Sequence, residues 1–189
     1  MWHFSLFCCF FIIILTPQLV TPSTTIGTVL SVDKINQTCT KCAEMSTIFS
    51  YDVCLTSLQA VPASHATNLQ GLALVAMELA IQNATASICT IKELVSSGSF
   101  DPFETCCLMD CLEEYSCGVV TLIEATGAFL TGKYEEANVW VSSVMDAATT
   151  CEDGFTDRQG HESPLKKENY FLFQLCDIAL CIFNLLSAL

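Results

Sequence analysis

Basic residues are the scarcest feature of this sequence. The 189-residue chain carries 7 Lys and Arg against 20 Asp and Glu, which gives a formal net charge of −13. Such a charge repels the phosphate backbone of nucleic acids and anionic lipid headgroups. The balance therefore argues against nucleic-acid and membrane-surface partners, and it predicts attraction to a basic protein at a rate that falls as salt is added.

Signatures of catalysis and of β-structure are also missing. His65 and His161 belong to no Ser/His/Asp or Cys/His signature, and His161 is expected to be solvated in a polar loop. No glycine-rich phosphate loop occurs, and paired carboxylates such as Glu113-Glu114 point apart on a helix. No stretch alternates polar and apolar residues as a half-buried strand does. We therefore expect neither an enzyme nor a protein that holds a cofactor or metal.

Residues 1–23 have the pattern of a secretory signal peptide. An apolar run over Cys8–Leu15 follows a short segment, and Thr21 and Ser23 occupy the small-residue positions before a cleavage site. The run is too short for a comfortable membrane span, although an uncleaved anchor is the alternative. The prediction is a secreted, extracellular protein in which residues 24–32 form a loose leader.

Cysteine, in contrast, is abundant. Of the 13 cysteines, Cys8 and Cys9 would leave with the signal, and an odd number remains. Such density is common in oxidising compartments, and an odd count leaves at least one thiol free or paired between chains. Cys39-Thr-Lys-Cys42 has C-x-x-C spacing but no partner motif, so a structural disulfide is favoured over a redox or metal site. Zinc binding by the cysteines within 106–117 is disfavoured because a helix disperses them.

Helical periodicity dominates the rest of the chain. Residues 33–60 contain two short helical patterns joined by a turn at Ser46–Ser50, and residues 66–189 contain four longer ones. The second long pattern has the strongest start signal, an acidic N-cap at Asp101 followed by Pro102 at the first helical position. Segments of this length and period suit antiparallel helices in a bundle. The predicted fold class is all-α.

The last predicted helix is apolar enough to raise two alternatives. Residues 170–189 have the composition of a membrane span or of a lipid-anchor signal. However, Gln174, Asp177, Cys181 and Asn184 recur every three to four residues and share one face. An Asp near a bilayer centre costs about 2.5–3.5 kcal/mol on insertion scales. We therefore expect a bundle helix whose polar stripe faces water.

Five pieces of the sequence together resemble the plant invertase and pectin methylesterase inhibitor family, especially its members from plane-tree pollen. Their order and four cysteine spacings carry the resemblance, which covers essentially all of the chain after the predicted signal. The first piece is Ile35–Cys39 with Ser50–Leu55 and Ser57-Leu58, the second is Leu69–Leu72 followed by Leu79–Ile81, and the third is Asp110-Cys111 with Tyr115. The fourth is Tyr134–Val139 running to Thr150–Phe155, and the fifth is Ser163-Pro164 with Lys167–Asn169.

The resemblance implies a helical hairpin over residues 33–60 followed by an up-down-up-down four-helix bundle. It implies two disulfides, Cys39–Cys54 within the hairpin and Cys111–Cys151 between the second and third bundle helices. The family has no use for the other cysteines after the signal, which are Cys42, Cys89, Cys106, Cys107, Cys117, Cys176 and Cys181.

The resemblance also implies a function, which is one-to-one steric inhibition of a pectin methylesterase or an acid invertase in the plant cell wall. Invertase inhibitors of the family present Pro-Lys-Phe at the start of the third bundle helix. The matching place here is Gly132-Lys133-Tyr134, so these three are the candidate target-binding residues. The missing proline weakens the invertase assignment. Pectin methylesterase inhibitors use mainly the second and third bundle helices, but no diagnostic residue for them stands out.

The sequence also leads to predictions about the oligomeric state, the location and the glycosylation of the protein. The inhibitor is expected to be a monomer secreted to the apoplast, with Asn36 and Asn83 as candidate glycosylation sites in Asn-X-Thr motifs. The alternatives are a non-inhibitory binding or allergen-like protein of the same fold and, from a different class, a carrier of lipids or small ligands.

Overall fold

The computed structural model of the protein describes residues 25–188, with side chains from Lys34 onward. The predicted signal peptide at 1–23 lies outside these residues. Six α-helices and one 3₁₀ turn occur within the described range, which holds no strand. The all-α prediction is therefore confirmed. The elements are α1 (Thr25–Met45), α2 (Tyr51–Gln59), the 3₁₀ turn (Pro62–Ala66), α3 (Leu69–Ser97), α4 (Pro102–Leu130), α5 (Tyr134–Thr156) and α6 (Lys166–Ser187).

The first two helices form the N-terminal hairpin. The Ser50 side chain caps α2 by accepting a hydrogen bond from the Val53 N–H. Helix α1 begins at Thr25 and takes in most of 24–32, which corrects the expectation of a loose leader there. The physical reason is that no proline interrupts 25–45, and extending a helix that is already nucleated costs little.

The four long helices α3–α6 form the bundle. Each packs against two neighbours, in the order α3, α4, α5, α6 and back to α3, and short connections make consecutive helices antiparallel. Leucines with no solvent exposure, such as Leu72 on α3 and Leu108 and Leu122 on α4, fill the centre. Full burial of such a side chain contributes about 1.5–3 kcal/mol each to the hydrophobic term. The bundle is thus held chiefly by its apolar stripes.

Local signals set the helix ends. Helix α3 ends at Gly98, whose φ of +64° suits glycine. Helix α4 starts with a capping box, in which Asp101 Oδ1 accepts hydrogen bonds of 2.8 Å from the N–H groups of Phe103 and Glu104. The donor from Glu104 contributes most to lowering the pKa of the Asp101 carboxyl below its ordinary value. The start predicted at Asp101-Pro102 is where the helix begins.

The polar stripe of α6 faces the hairpin, which corrects the expectation that it faces water. Gln174 is buried and donates a 3.3 Å hydrogen bond to the Ile48 carbonyl. The Ser46 hydroxyl donates to the Asp177 carboxylate. Of the four residues in the stripe, Asn184 is exposed. The hairpin turn supplies partners for these groups, so their burial does not leave them without hydrogen bonds.

Two helices of the bundle are long and apolar enough to cross a membrane by length and composition alone. In α3, 44% of the most apolar window is buried inside the protein, and in α6 the share is 50%. A core helix of a folded domain passes the same test, because its apolar face packs on protein instead of lipid. Helix α6 here packs on α3, α5 and the hairpin.

Two disulfides join the cysteine pairs that the resemblance implied. Cys39 and Cys54 are bonded within the hairpin, and Cys111 and Cys151 are bonded between α4 and α5. All four residues are buried. The first bond holds the two short helices together, and the second fixes the spacing of the second and third bundle helices.

A third disulfide joins Cys42 on α1 to Cys181 on α6. This corrects the expectation that both residues are surplus to the fold. The sequence separation of the pair is 139, so the bond ties the N-terminal hairpin to the last helix of the bundle. Periodicity places Cys181 in the polar stripe of α6, but the sequence alone does not show which element covers that stripe.

Replacing Cys42 and Cys181 together by Ser is expected to lower the free energy of unfolding by about 2–4 kcal/mol, because the unfolded chain regains the entropy of a long open loop. Urea denaturation followed by circular dichroism measures the change. Cys89→Ser is the matched control, because Cys89 is exposed and unpaired, and it should shift stability by less than about 0.5 kcal/mol. An unchanged urea midpoint in the double variant would contradict the structural role of this bond.

Candidate functional site

The turn between α4 and α5 contains the predicted target-binding residues and is closed by a Schellman motif. Gly132 has a φ of +79°, and its N–H donates a 3.0 Å hydrogen bond to the Phe129 carbonyl. The Lys133 N–H donates a 2.9 Å bond to the Ala128 carbonyl. Proline is excluded at position 132 in this turn, because its φ is fixed near about −65° and it has no N–H to donate.

The side chains of the next two residues differ in how far they project from the bundle. The Lys133 side chain is 63% exposed, and its Nζ lies 3.0 Å from the Glu136 carboxylate. The Tyr134 ring packs on the Phe129 ring with centroids 5.1 Å apart, and Gln70 donates a 3.3 Å hydrogen bond to its hydroxyl. Lys133 therefore projects from the end of the bundle, whereas Tyr134 is anchored against it.

Helices α4 and α5 carry an acidic outer surface. Each holds five carboxylates, and neither contains a Lys, Arg or His residue. Six of the ten acids are exposed, and we call this set the acidic face. It consists of Asp110, Glu113, Glu124, Glu135, Asp146 and Asp153. Lys133, in the turn that joins the two helices, is the cation nearest to it along the chain.

Exposed apolar side chains accompany the acids on α4. Met109, Val120, Ile123 and Leu130 are each between 49% and 65% exposed. Their spacing places them on one side of the outward surface of α4, next to the carboxylates. Exposed large apolar residues in a row that is rimmed by charge are typical of protein–protein contact sites. The outer surface of α4 and α5 therefore has the character of a docking surface.

The loop after α5 folds back on the start of α4, which corrects the expectation that His161 is solvated. His161 Nδ1 lies 3.2 Å from Glu104 Oε1, and its ring meets the Phe103 ring edge-on at 5.3 Å. Arg158 lies over the same Phe103 ring and 3.5 Å from Asp101. Ligand atoms of Asp101, Glu104 and His161 lie within 4.8 Å of one another. However, both carboxylates already accept hydrogen bonds from the capping box, so the cluster serves to hold the loop.

The unpaired cysteines of the described chain fall into two groups. Cys89, Cys106 and Cys117 are exposed, whereas Cys107 and Cys176 are buried. Burial raises the pKa of the Cys107 thiol above its ordinary value and raises that of Cys176 to about 12. Because the thiolate is the reactive form, these two buried thiols are unsuited to nucleophilic chemistry near neutral pH.

Comparison with known proteins identifies the family. A family model described as “Plant invertase/pectin methylesterase inhibitor” matches residues 33–182. The chain belongs to this family. The resemblance seen in the sequence is thereby confirmed, and it extends over the hairpin and nearly the whole bundle.

Individual family members are similar over most of their length. A “Putative invertase inhibitor” from Platanus acerifolia is 39% identical over 160 residues, which cover 85% of this chain and 89% of the relative. A “Pectinesterase inhibitor” from Actinidia deliciosa is 31% identical over 139 residues, covering 71% and 72%. The crystal structure of a mutant form of a pectin methylesterase inhibitor from Arabidopsis has a TM-score of 0.66 at 26% identity, covering 80% of this chain and 95% of that chain.

The two glycosylation motifs of this family member occupy different environments. Asn36 Oδ1 is 3.3 Å from the Tyr51 hydroxyl, which donates to it within the hairpin. Asn83 Oδ1 is buried and has no hydrogen-bond partner. Both residues are partly buried. Glycosylation at both sites stays a prediction.

Sequence reasoning did not single out the acidic face or the exposed apolar row of α4. The signal was present, because charged and apolar residues that recur every three to four positions share one side of a helix. Periodicity also predicts the side of α4 that packs on its neighbours, through an apolar stripe that includes Leu108 and Leu122. The burial of Leu108 and Leu122 confirms that side, which turns the acids at 110, 113 and 124 outward.

Gly132→Pro is expected to destabilise the fold by about 3 kcal/mol, because it removes the positive φ and the hydrogen bond to Phe129 on which the turn depends. Chemical denaturation measures the loss. Gly127→Ala, in the exposed last turns of the same helix, is the matched control and should stabilise by up to about 1 kcal/mol. If Gly132→Pro were as stable as the parent, the turn could adopt the proline form, and the exclusion of proline at position 132 would be wrong.

Proposed function

We propose that this chain is a secreted protein that inhibits a cell-wall carbohydrate enzyme by one-to-one steric binding, with pectin methylesterase as the first target and acid invertase as the second. Family membership over residues 33–182 is the observation that carries the proposal. It also favours an inhibitor over an enzyme, in line with the sequence, which offers no nucleophile and base in a recognised catalytic arrangement. Secretion to the apoplast and a monomeric state are parts of the same proposal.

The docking surface in this proposal is the acidic face together with the exposed apolar row of α4. A stable one-to-one complex buries on the order of 1,600 Å² in total, which is about 800 Å² on each partner. Helices α4 and α5, with 29 and 23 residues, pack side by side and together supply this surface. The disulfide between Cys111 and Cys151 fixes the spacing of these helices. A surface that is already ordered loses less conformational entropy when it binds.

Charge should govern how quickly the complex forms. Ten carboxylates and no basic residue on α4 and α5 create a negative potential that attracts a target with a basic rim around its cleft. Steering of this kind raises association rates by about 10- to 1,000-fold and weakens as salt is added. The contacts of the apolar row, in contrast, are insensitive to salt and should govern the lifetime of the complex.

The turn at Gly132 favours pectin methylesterase over invertase as the target. The family's invertase inhibitors have Pro-Lys-Phe at this place, and the Schellman motif here excludes proline. The matched tripeptide therefore has a different backbone shape, even though a lysine and an aromatic ring are kept. The exposed Lys133 is the observation that keeps invertase as the second candidate.

Titration of the purified protein against a pectin methylesterase and an acid invertase near pH 5 tests the choice of target. We expect stoichiometric inhibition of the pectin methylesterase and weaker or no inhibition of the invertase. Strong inhibition of invertase that is lost on Lys133→Ala with Tyr134→Ala would assign the second target instead. No effect on either enzyme would overturn the proposal and leave the non-inhibitory alternative.

Reversing charge on the acidic face tests the docking surface separately from the choice of target. Glu113→Lys with Glu124→Lys should lower the association rate with the inhibited enzyme by about 10-fold at low salt, and less at high salt. Surface plasmon resonance over a range of salt concentrations measures this change. Glu93→Lys, at an exposed position on α3, is the matched control. If all variants associate at the rate of the parent, the acidic face does not dock the enzyme.

A further inference from the structure

A cleft lies beside the C-terminal half of α5 and shares one residue, Asp153, with the acidic face. It is bounded by the hairpin turn, the C-terminal half of α5 and the N-terminal half of α6, and it has a cavity volume of about 750 Å³. Cavities of this size hold small organic ligands. The proposed inhibition does not require this cleft, because the other five acids of the acidic face, the apolar row of α4 and Lys133 do not line it.

Glu152 lines the cleft, and its carboxylate is held by a chain of hydrogen bonds that begins in the core. The Tyr115 hydroxyl donates a 2.7 Å bond to Asn169 Oδ1, and Asn169 Nδ2 donates a 2.7 Å bond to Glu152 Oε2. Tyr115 is 2% exposed and Asn169 is 4% exposed. Glu152 is thus oriented by buried groups, and within the described residues its second carboxylate oxygen accepts no hydrogen bond. That oxygen can accept from a ligand hydroxyl.

One wall of the cleft is an exposed aromatic ring that is fixed in place. Tyr170 is 57% exposed, yet its hydroxyl donates a 2.9 Å hydrogen bond to the Ile48 carbonyl of the hairpin turn. The half-buried Phe173 lies one turn further along α6 and also lines the cleft. A ring that is already held offers a flat apolar surface to a ligand at a low entropic cost.

The rim of the cleft is basic on the α6 side. Lys166 and Lys167 both line it and are exposed, and they are the one adjacent pair of cations within the described residues, on a chain with 7 Lys and Arg in all. Ammonium groups form charge-assisted hydrogen bonds with carboxylates. The opposite rim, with Asp153, is acidic, so an anionic ligand is expected to place its carboxylate on the lysine side.

We propose that this cleft binds a short uronate oligosaccharide. Its sugar face would pack on the ring of Tyr170, a ring hydroxyl would donate to Glu152, and a carboxylate would lie between Lys166 and Lys167. A ligand with hydroxyl donors, an apolar face and a carboxylate matches Glu152, the aromatic wall and the lysine rim together. The proposal adds a carbohydrate-binding site to the inhibitor and does not depend on which enzyme is inhibited.

Isothermal titration of the full mature protein with trigalacturonic acid, its fully methyl-esterified form and the neutral maltotriose tests the proposal. We expect the acid to bind in the millimolar range or tighter, the ester at least 10-fold more weakly and maltotriose not at all. No binding of trigalacturonic acid at 10 mM would overturn the proposal. Equal binding of all three sugars would overturn the assignment of a uronate.

Variants of the lining residues test whether the sugar binds in this cleft. Lys166→Ala with Lys167→Ala should weaken binding of trigalacturonic acid at least 10-fold and leave the ester unchanged, whereas Tyr170→Ala should weaken both. Lys92→Ala and Phe171→Ala are the matched controls, because both residues are exposed on surfaces that do not line this cleft. If the control variants lost binding to the same extent, or if the lysine variant lost no binding, the assignment of this cleft would be overturned.

The test is separable from the inhibitory function. Binding is measured on the isolated protein without enzyme, and circular dichroism checks that each variant keeps its helical content. A variant that binds no sugar but inhibits the enzyme as the parent does leaves the proposed function intact. A protein that inhibits neither enzyme but binds the uronate would support this inference on its own.

Discussion

The N-terminal hairpin and helix α6 meet along a polar seam, and the bond between Cys42 and Cys181 holds that seam closed. Gln174 and Asp177 take part in hydrogen bonds with the hairpin turn. Such bonds contribute only about 0.5–1.5 kcal/mol each when they replace bonds to water, so on their own they would hold a small hairpin weakly. The covalent link keeps the partners in place. It also fixes the distance between α6 and the hairpin, and the Tyr170 side chain bridges this distance.

Much of the fold could be predicted because helix ends carry local signals. Gly98, Asp101 and Gly132 mark ends or starts that the structure keeps, since capping depends on residues three or four positions apart. The environment of α6 could not be predicted in the same way. Periodicity shows that Gln174 and Cys181 share a face, but what covers a face depends on residues more than 100 positions away, such as Ile48.

The candidate sites likewise combine features that the local sequence predicts with features that depend on distant residues. The position of Lys133 in the turn before α5 could be predicted from the family resemblance, and the acids of α4 and α5 could be counted in the sequence. The backbone shape at Gly132 could not be predicted, because it depends on two hydrogen bonds to the preceding helix. The cleft could not be predicted from the sequence either, because Glu152 and Tyr170 become neighbours only when three separate elements pack together.

The link between Cys42 and Cys181 has a consequence for how the molecule survives proteolysis. The loop Asp157–His161 is largely exposed, and exposed loops are where proteases cut. A cut there separates α6 from α5 along the backbone, but α6 stays covalently attached through α1, and Cys151 still holds α5 to α4. Both fragments keep their packing partners, so a nicked molecule should persist as a single folded body.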